Sequence, residues 1–138
     1  MIISTRGRYA LRIMTDLAEN GGNNYVPMKE IAAREELSLK YLEQIVPVLV
    51  KNGLLEGVQG RAGGYRLTRS PEKYPIGEIL RLTEGTLSPV ECAEFSGEGC
   101  EHKEKCRTLP VWMRLNDLII GYLDSVTLAD LLPANDNV

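Results

Sequence analysis

Three consecutive stretches decide how this chain is read. They are Met28-Lys-Glu-Ile-Ala-Ala-Arg-Glu-Glu-Leu-Ser38, then Leu39-Lys-Tyr-Leu-Glu-Gln-Ile-Val-Pro-Val-Leu-Val-Lys-Asn-Gly53, then Leu54-Leu-Glu-Gly-Val-Gln-Gly-Arg-Ala-Gly-Gly-Tyr-Arg-Leu-Thr68. The first reads as a short helix at about Met28–Glu35, with Ile31, Ala32 and Leu37 turned inward. Ser38 then caps a second helix, its hydroxyl placed to accept an otherwise orphan backbone N–H near Tyr41. Leu42, Ile45, Val46, Leu49 and Val50 recur at the three-and-four spacing of one buried helical face, and Gly53 ends the run. Strands at Glu56–Val58 and Tyr65–Thr68 flank the glycine-rich tip Gln59-Gly-Arg-Ala-Gly-Gly64. Helix, turn, helix and hairpin in that order describe a winged helix-turn-helix. The fold class expected is mainly α with a small β-hairpin wing.

In helix-turn-helix proteins the N-terminal turns of the second helix meet base edges. Lys40, Tyr41, Glu43 and Gln44 lie off the apolar stripe in those turns. Gln44 suits bidentate bonding to adenine, and Glu43 suits accepting from cytosine N4. Ser38 at the cap and Lys29 on the preceding helix are counted with them, as are Gln59 and Arg61 at the wing tip and Arg66 on the returning strand. An arginine on a glycine-rich tip suits a narrow minor groove or its phosphates. The tip matches neither GxxxxGK[ST] nor GxGxxG, and it joins two strands, so a nucleotide-binding loop is excluded. Pro47 removes one helical hydrogen bond; a kink near Glu43–Val46 is expected, or a helix regular only through Val46.

Residues 4–19 read as a preceding helix capped by Ser4 or Thr5, burying Tyr9, Ala10, Ile13, Met14, Leu17 and Ala18. Arg6, Arg8 and Arg12 near its start oppose the helix dipole, which makes sense beside a phosphate. The net charge of −3 conceals an asymmetry. Residues 1–69 carry 10 Lys/Arg against 7 Asp/Glu, and residues 70–138 carry 6 against 12. The basic half is the one with the helix-turn-helix, the right sign for a polyanionic partner.

Ser70–Pro75 reads as a linker and Ile76–Thr83 as a short helix. Beyond it Cys92, Cys100 and Cys106 are spaced C-x7-C-x5-C in a polar window with Phe95 as its one large apolar residue. Clustered cysteines in a reducing compartment point to metal or redox chemistry rather than to a structural disulfide. Thiolates suit iron–sulfur clusters and zinc, and Lys103, Lys105 and Arg107 are expected to favour the thiolate forms. Three cysteines fall one ligand short. His102, the single histidine, is the first candidate for a fourth, with Glu94, Glu98, Glu101 and Glu104 also nearby. A metal-free thiol segment remains the alternative. There is no C-x-x-C, HExxH or serine–histidine constellation to support an enzyme.

Thr108–Ser125 is the longest expected helix. Val111, Leu115, Leu118 and Tyr122 mark one apolar face, and Trp112, Ile119, Leu123 and Val126 a second. One face covers the helix's own domain and the other suits a second copy of the chain. Thr127–Leu132 closes the chain as a short capped helix, and residues 133–138 are expected to fray. The organisation expected is a DNA-binding domain at 1–83, a sensor segment at 84–107, and a dimerisation and closing region at 108–132. With no long apolar run and no signal peptide, a cytoplasmic location is expected.

Ser4-Thr-Arg-Gly-Arg-Tyr-Ala10, Ser38-Leu-Lys-Tyr-Leu-Glu-Gln44, Gly60-Arg-Ala-Gly-Gly-Tyr65 and Thr127-Leu-Ala-Asp-Leu131 together resemble the Rrf2 family of bacterial winged-helix transcriptional regulators, with its IscR-, NsrR- and CymR-like members. The resemblance implies a homodimer on a near-palindromic DNA operator, with Tyr41, Glu43 and Gln44 reading bases and Arg61 in the wing. It also implies a labile 2Fe-2S cluster at Cys92, Cys100 and Cys106. Gln59 stands where IscR-like members have arginine. Leu109 stands where they place a cluster-binding histidine, and Arg8 near where NsrR-like members supply an acidic ligand. Glu84–Glu91 and Leu123–Asp130 are similar to CymR-like members, which lack this cysteine set and answer to an enzyme of cysteine biosynthesis.

Overall fold

The computed structural model describes residues 3–133; of the end expected to fray, 133–138, all but Pro133 lies outside the described residues. The helices are α1 (Thr5–Asn20), α2 (Met28–Glu35), α3 (Leu39–Lys51), α4 (Ile76–Glu84), α5 (Glu91–Glu94) and α6 (Leu109–Ser125). Strands β1 (Leu55–Val58) and β2 (Gly64–Leu67) pair antiparallel, and three short 3-10 turns complete the described elements. The expected mainly helical winged helix-turn-helix is the fold observed. No helix among the described residues is long and apolar enough to cross a membrane.

Local signals set most boundaries. The Ser4 hydroxyl accepts from the Gly7 amide at 3.0 Å, and the Ser38 hydroxyl from the Tyr41 amide at 3.3 Å. Each thereby satisfies one of the donors that a helix start leaves free. Glu36 ends α2 in the left-handed conformation, which turns the chain sharply toward α3. Pro47 lies within α3, which continues to Lys51, so the alternative of a helix regular only through Val46 is not met. Pro47 is exposed, and the Glu43 carbonyl it leaves unbonded belongs to a residue that is exposed as well, where water can satisfy it.

Ala10, Ile13, Met14 and Leu17 of α1 meet Ile31, Leu37, Leu42, Ile45, Val46 and Leu49 in one apolar core. The wing hangs on that core through Leu54 and Leu55 and through a bridge between Val26 and Tyr65. A Cβ at Gly64 would lie 2.3 Å from the Val26 carbonyl carbon, so glycine there is what lets the hairpin close against the segment before α2.

The segment read as a linker is a structural centre. Pro71–Lys73 forms a 3-10 turn, and the Tyr74 ring is fully buried. Its hydroxyl donates to the Leu54 carbonyl at 2.8 Å and accepts from the Thr68 and Arg69 amides at 2.8 and 3.0 Å. The Tyr74 carbonyl accepts from the Leu128 amide at 3.0 Å. Leu128, fully buried, belongs to the same core as α1 and α3, so the closing segment is built into the winged-helix body. Thr127 and Asp130 cap that last turn reciprocally, as a capping box does.

Replacing Tyr74 with Phe keeps the ring and takes the acceptor from the Thr68 and Arg69 amides, while the Leu54 carbonyl retains the Thr68 hydroxyl at 3.3 Å. Urea unfolding should show a loss of about 2 kcal/mol, the scale for buried polar groups left without a partner. A change within a few tenths would mean that water replaces the hydroxyl.

Candidate nucleic-acid interface and cysteine segment

The first turn of α3, the start of α2 and the wing enclose an open groove of about 580 Å³, lined among others by Lys29, Leu39, Glu43, Gln59 and Arg61. Four of the residues expected to meet DNA are therefore brought to one surface. Lys40 and Gln44 are exposed on the same helix. Tyr41 is 47% exposed and stands edge-on to Tyr9 of α1, ring centres 5.4 Å apart. That contact supports the ring of a recognition-helix residue from a second helix.

Charge pairing divides the cations into two sets. Among the described residues Arg6, Arg8, Lys29, Lys40 and Arg61 enter no ion pair, whereas five other arginines do. Arg8 is exposed and donates to the Thr5 hydroxyl at 2.9 Å. Arg12 instead turns to Glu35 at 3.2 Å, joining α1 to the end of α2. Arg66, expected to face DNA, is held by Glu56 across the hairpin. It also donates to the Asn23 carbonyl at 3.0 Å and lies over the Tyr25 ring at 4.3 Å. Those contacts brace the wing against the loop before α2.

Asp16, which no motif marks, has a side chain that is 1% exposed and takes a bidentate grip from Arg34 at 2.8 and 2.9 Å. The pair locks α2 to α1 from inside, since removing Arg34 would leave a buried carboxylate unpaired. The one available signal was an acidic residue within the apolar stripe of α1. Two further bidentate pairs bind outer elements to α4: Arg69 with Glu78 at 2.7 and 2.9 Å, and Arg81 with Asp124 of α6 at 2.8 and 2.9 Å. Each arginine holds its partner carboxyl below the ordinary carboxylate range.

The cysteine segment follows α4. Cys92 and Cys100 line one depression of about 610 Å³ with Glu91, Phe95 and Glu98. Cys106 is not part of that lining; it sits at the head of α6, its sulfur 3.4 Å from the Thr108 hydroxyl. The Thr108 hydroxyl, then the backbone N–H groups of Thr108 and Leu109, hold this thiol below its ordinary pKa. The cause is the helix start rather than the expected cations, and Lys103 is paired with Glu98. His102 is exposed. Leu109 is buried, and a Cβ at Gly97 would come within 2.8 Å of its side chain, so the segment closes over an apolar group at that position. Among the described residues no three of His, Cys, Asp and Glu converge as a metal site. The donor chemistry suits a thiolate-ligated centre, but the segment as folded does not gather its donors.

On α6 the two expected faces part company. Val111, Leu115, Leu118 and Tyr122 are exposed at 58%, 39%, 52% and 52%, while Trp112, Ile119 and Leu123 are half-buried and Val126 is buried.

A family model, Rrf2, described as iron-dependent transcriptional regulator, matches residues 3–134. The chain belongs to the Rrf2 family. It is 35% identical over 132 residues to the transcriptional regulator IscR of Cronobacter sakazakii, covering 96% of this chain and 80% of the relative. Among solved structures it is similar to CymR, the global cysteine regulator of B. subtilis, at 40% identity and a TM-score of 0.79 over 95% of each chain. It is also similar to T. potens IscR at 38% identity and a TM-score of 0.73, over 97% of this chain and 88% of that one. These relatives are transcriptional regulators, not enzymes, and this Rrf2 chain is a DNA-binding regulator of the IscR/CymR type.

The division of cations has a measurable consequence. Arg61→Ala should lower the salt dependence of duplex binding by about one unit of slope, the loss of one phosphate contact. Arg66→Ala should instead lower the melting temperature and leave that slope near the wild-type value. The reverse pattern in a salt series of fluorescence anisotropy would show that the two roles are exchanged.

Proposed function

We propose that the chain acts as a homodimer on a near-palindromic operator, as a cytoplasmic regulator, with the groove between α3 and the wing reading the duplex. The observation that carries this is the gathering of Lys29, Glu43, Gln59 and Arg61 around one groove, flanked by cations free of ion pairs. Glu43 would be repelled by phosphate and rewards only a base edge that donates, so its contribution is selectivity. Gln59 in place of a cation weakens the pull toward a narrow minor groove and leaves Arg61 as the wing's charge. Selection from a random duplex pool should recover a sequence with two-fold symmetry; recovery without symmetry or preference would refute this reading.

The second copy is seated on the exposed face of α6. Four large apolar side chains at 4-3-4 spacing form a seam of the kind that pairs helices, and the first three, Val111, Leu115 and Leu118, line an open apolar depression of about 500 Å³ with Pro110 and Arg114. Trp112, Ile119 and Leu123, half-buried against their own domain, flank that seam. Leu118→Glu should convert the dimer to a monomer by light scattering while the circular dichroism stays unchanged, and a variant that remains dimeric would place the interface elsewhere.

The signal is proposed to enter at Cys92, Cys100 and Cys106, as ligands of a 2Fe-2S cluster. This reading rests on three thiols in one polar window and on likeness to IscR. The segment must then rearrange, and a fourth donor is needed beyond Leu109; His102 is the nearest imidazole in sequence. A second reading, control by thiol oxidation or by an enzyme of cysteine biosynthesis without metal, is favoured by the shared depression of Cys92 and Cys100 and by likeness to CymR. Anaerobically purified protein should contain iron and acid-labile sulfide in equal amounts and absorb visible light. Colourless protein after reconstitution with iron and sulfide would leave the metal-free reading, and zinc alone would indicate a structural site.

A further inference from the structure

The start of α1 is held by a residue far along the chain. Glu84, the last residue of α4, accepts from the Ser4 amide at 3.0 Å and from the Ser4 hydroxyl at 2.6 Å through one carboxylate oxygen. The same hydroxyl accepts from the Gly7 amide, so Glu84 fixes the rotamer in which Ser4 caps the helix. Room for the carboxylate exists only because residue 7 lacks a side chain: a Cβ there would lie 2.3 Å from Glu84 Oε1 and 3.0 Å from Thr83 Oγ1. The first turn of α1 has no acidic residue of its own and carries Arg6 and Arg8, which oppose the helix dipole. A carboxylate lent by α4 stands where the sequence of α1 provides none.

We propose that Glu84 is a positioning residue for DNA binding: by holding the Ser4 cap it fixes the attitude of the first turn of α1, and so aims Arg6 and Arg8 at the phosphates of the operator. The proposal rests on the DNA-facing reading of α1 given above. Arg6 and Arg8 are exposed and free of ion pairs among the described residues, and Arg8 donates to the Thr5 hydroxyl of the same turn, so the attitude of that turn sets where their charges lie. Freed of Glu84, the cap becomes one hydroxyl without an orienting partner, and the first turn frays. Gly85, at φ +79°, turns the chain away immediately after Glu84. The contact therefore lies at the root of the segment that carries the cysteines.

The test compares Glu84→Ala, Glu84→Gln and Ser4→Ala in the full chain by fluorescence anisotropy on the selected duplex, across a salt series. Glu84→Ala should weaken binding about tenfold and lower the salt slope by about two, the loss of two phosphate contacts. Glu84→Gln keeps an oxygen that accepts from the Ser4 amide and hydroxyl, and should restore both values to within about twofold and half a unit of slope. Ser4→Ala should follow Glu84→Ala in direction with a smaller effect, and serves as the readout where Glu84→Ala does not fold. Wild-type slopes in Glu84→Ala and Ser4→Ala, or a Glu84→Gln no better than Glu84→Ala, would overturn the proposal. The double variant Arg6→Ala, Arg8→Ala separates the two levels. An unchanged slope there removes α1 from the DNA interface altogether, whereas a reduced slope beside an unaffected Glu84→Ala refutes only the positioning role.

Discussion

The Tyr74 hydroxyl sits at a point where three parts of the chain must agree. It donates to the carbonyl at the end of the recognition-helix turn and accepts from two amides where the returning strand leaves the wing. The Tyr74 main chain also receives the closing segment at Leu128. A two-stranded hairpin is marginal by itself in water, so the wing needs such an anchor to keep a fixed distance from α3. The groove between them is defined by that distance. A donor and acceptor used in full at zero exposure is also unforgiving, since its loss takes the acceptor from two amides at the base of the wing. The wing's geometry is thereby coupled to the stability of the core.

A second constraint is that α4 carries polar contacts on three successive turns. Glu78 takes Arg69 from the base of the wing, Arg81 takes Asp124 from α6, and Glu84 takes Ser4 from α1. Their spacing of three places them along one side of a nine-residue helix. Exposed ion pairs contribute little stability individually, and their value here is geometric, because bidentate forks fix orientation as well as distance. Gly77 belongs to this arrangement: a Cβ there would meet Asp124 Oδ1 at 2.2 Å. Through these contacts the wing, the long helix and the start of α1 share one frame.

The parts legible in the sequence were those with local causes. Ser38 and Gly53 mark α3 because capping and termination act within a few residues, and the glycine tip marks the hairpin for the same reason. Two apolar faces on α6 were readable from periodicity, and they differ in exposure. Tyr74 was not legible, because an aromatic between a lysine and a proline looks like a linker until its distant partners Leu54, Thr68 and Leu128 are known. Asp16 and Arg34, eighteen residues apart, fail to announce themselves likewise. Arg66 and Arg12 were read as free cations because nothing local to either reveals Glu56 or Glu35 beside it. Of the two outcomes expected of Pro47, the helix ending at Val46 is not met, since tertiary burial of Ile45, Val46 and Leu49 sustains a helix that propensity alone would end.

The cysteine segment differs in kind from the rest. The winged-helix body is closed by a continuous apolar core, whereas residues between Glu91 and Cys106 bury little beyond Ala93 and Gly97. Too little apolar surface is removed from water there to offset the entropy of ordering a loop, so its conformation is the easiest in the chain to change. A segment so lightly buried can rearrange at small cost over the buried Leu109 side chain, which carries no polar group. The segment leaves the frame just described after Glu84, which holds Ser4, and ends at the N-terminal turn of α6, where Leu109 is buried. The elements that border it are α4, whose Glu84 holds the start of α1, and the N-terminal turn of α6.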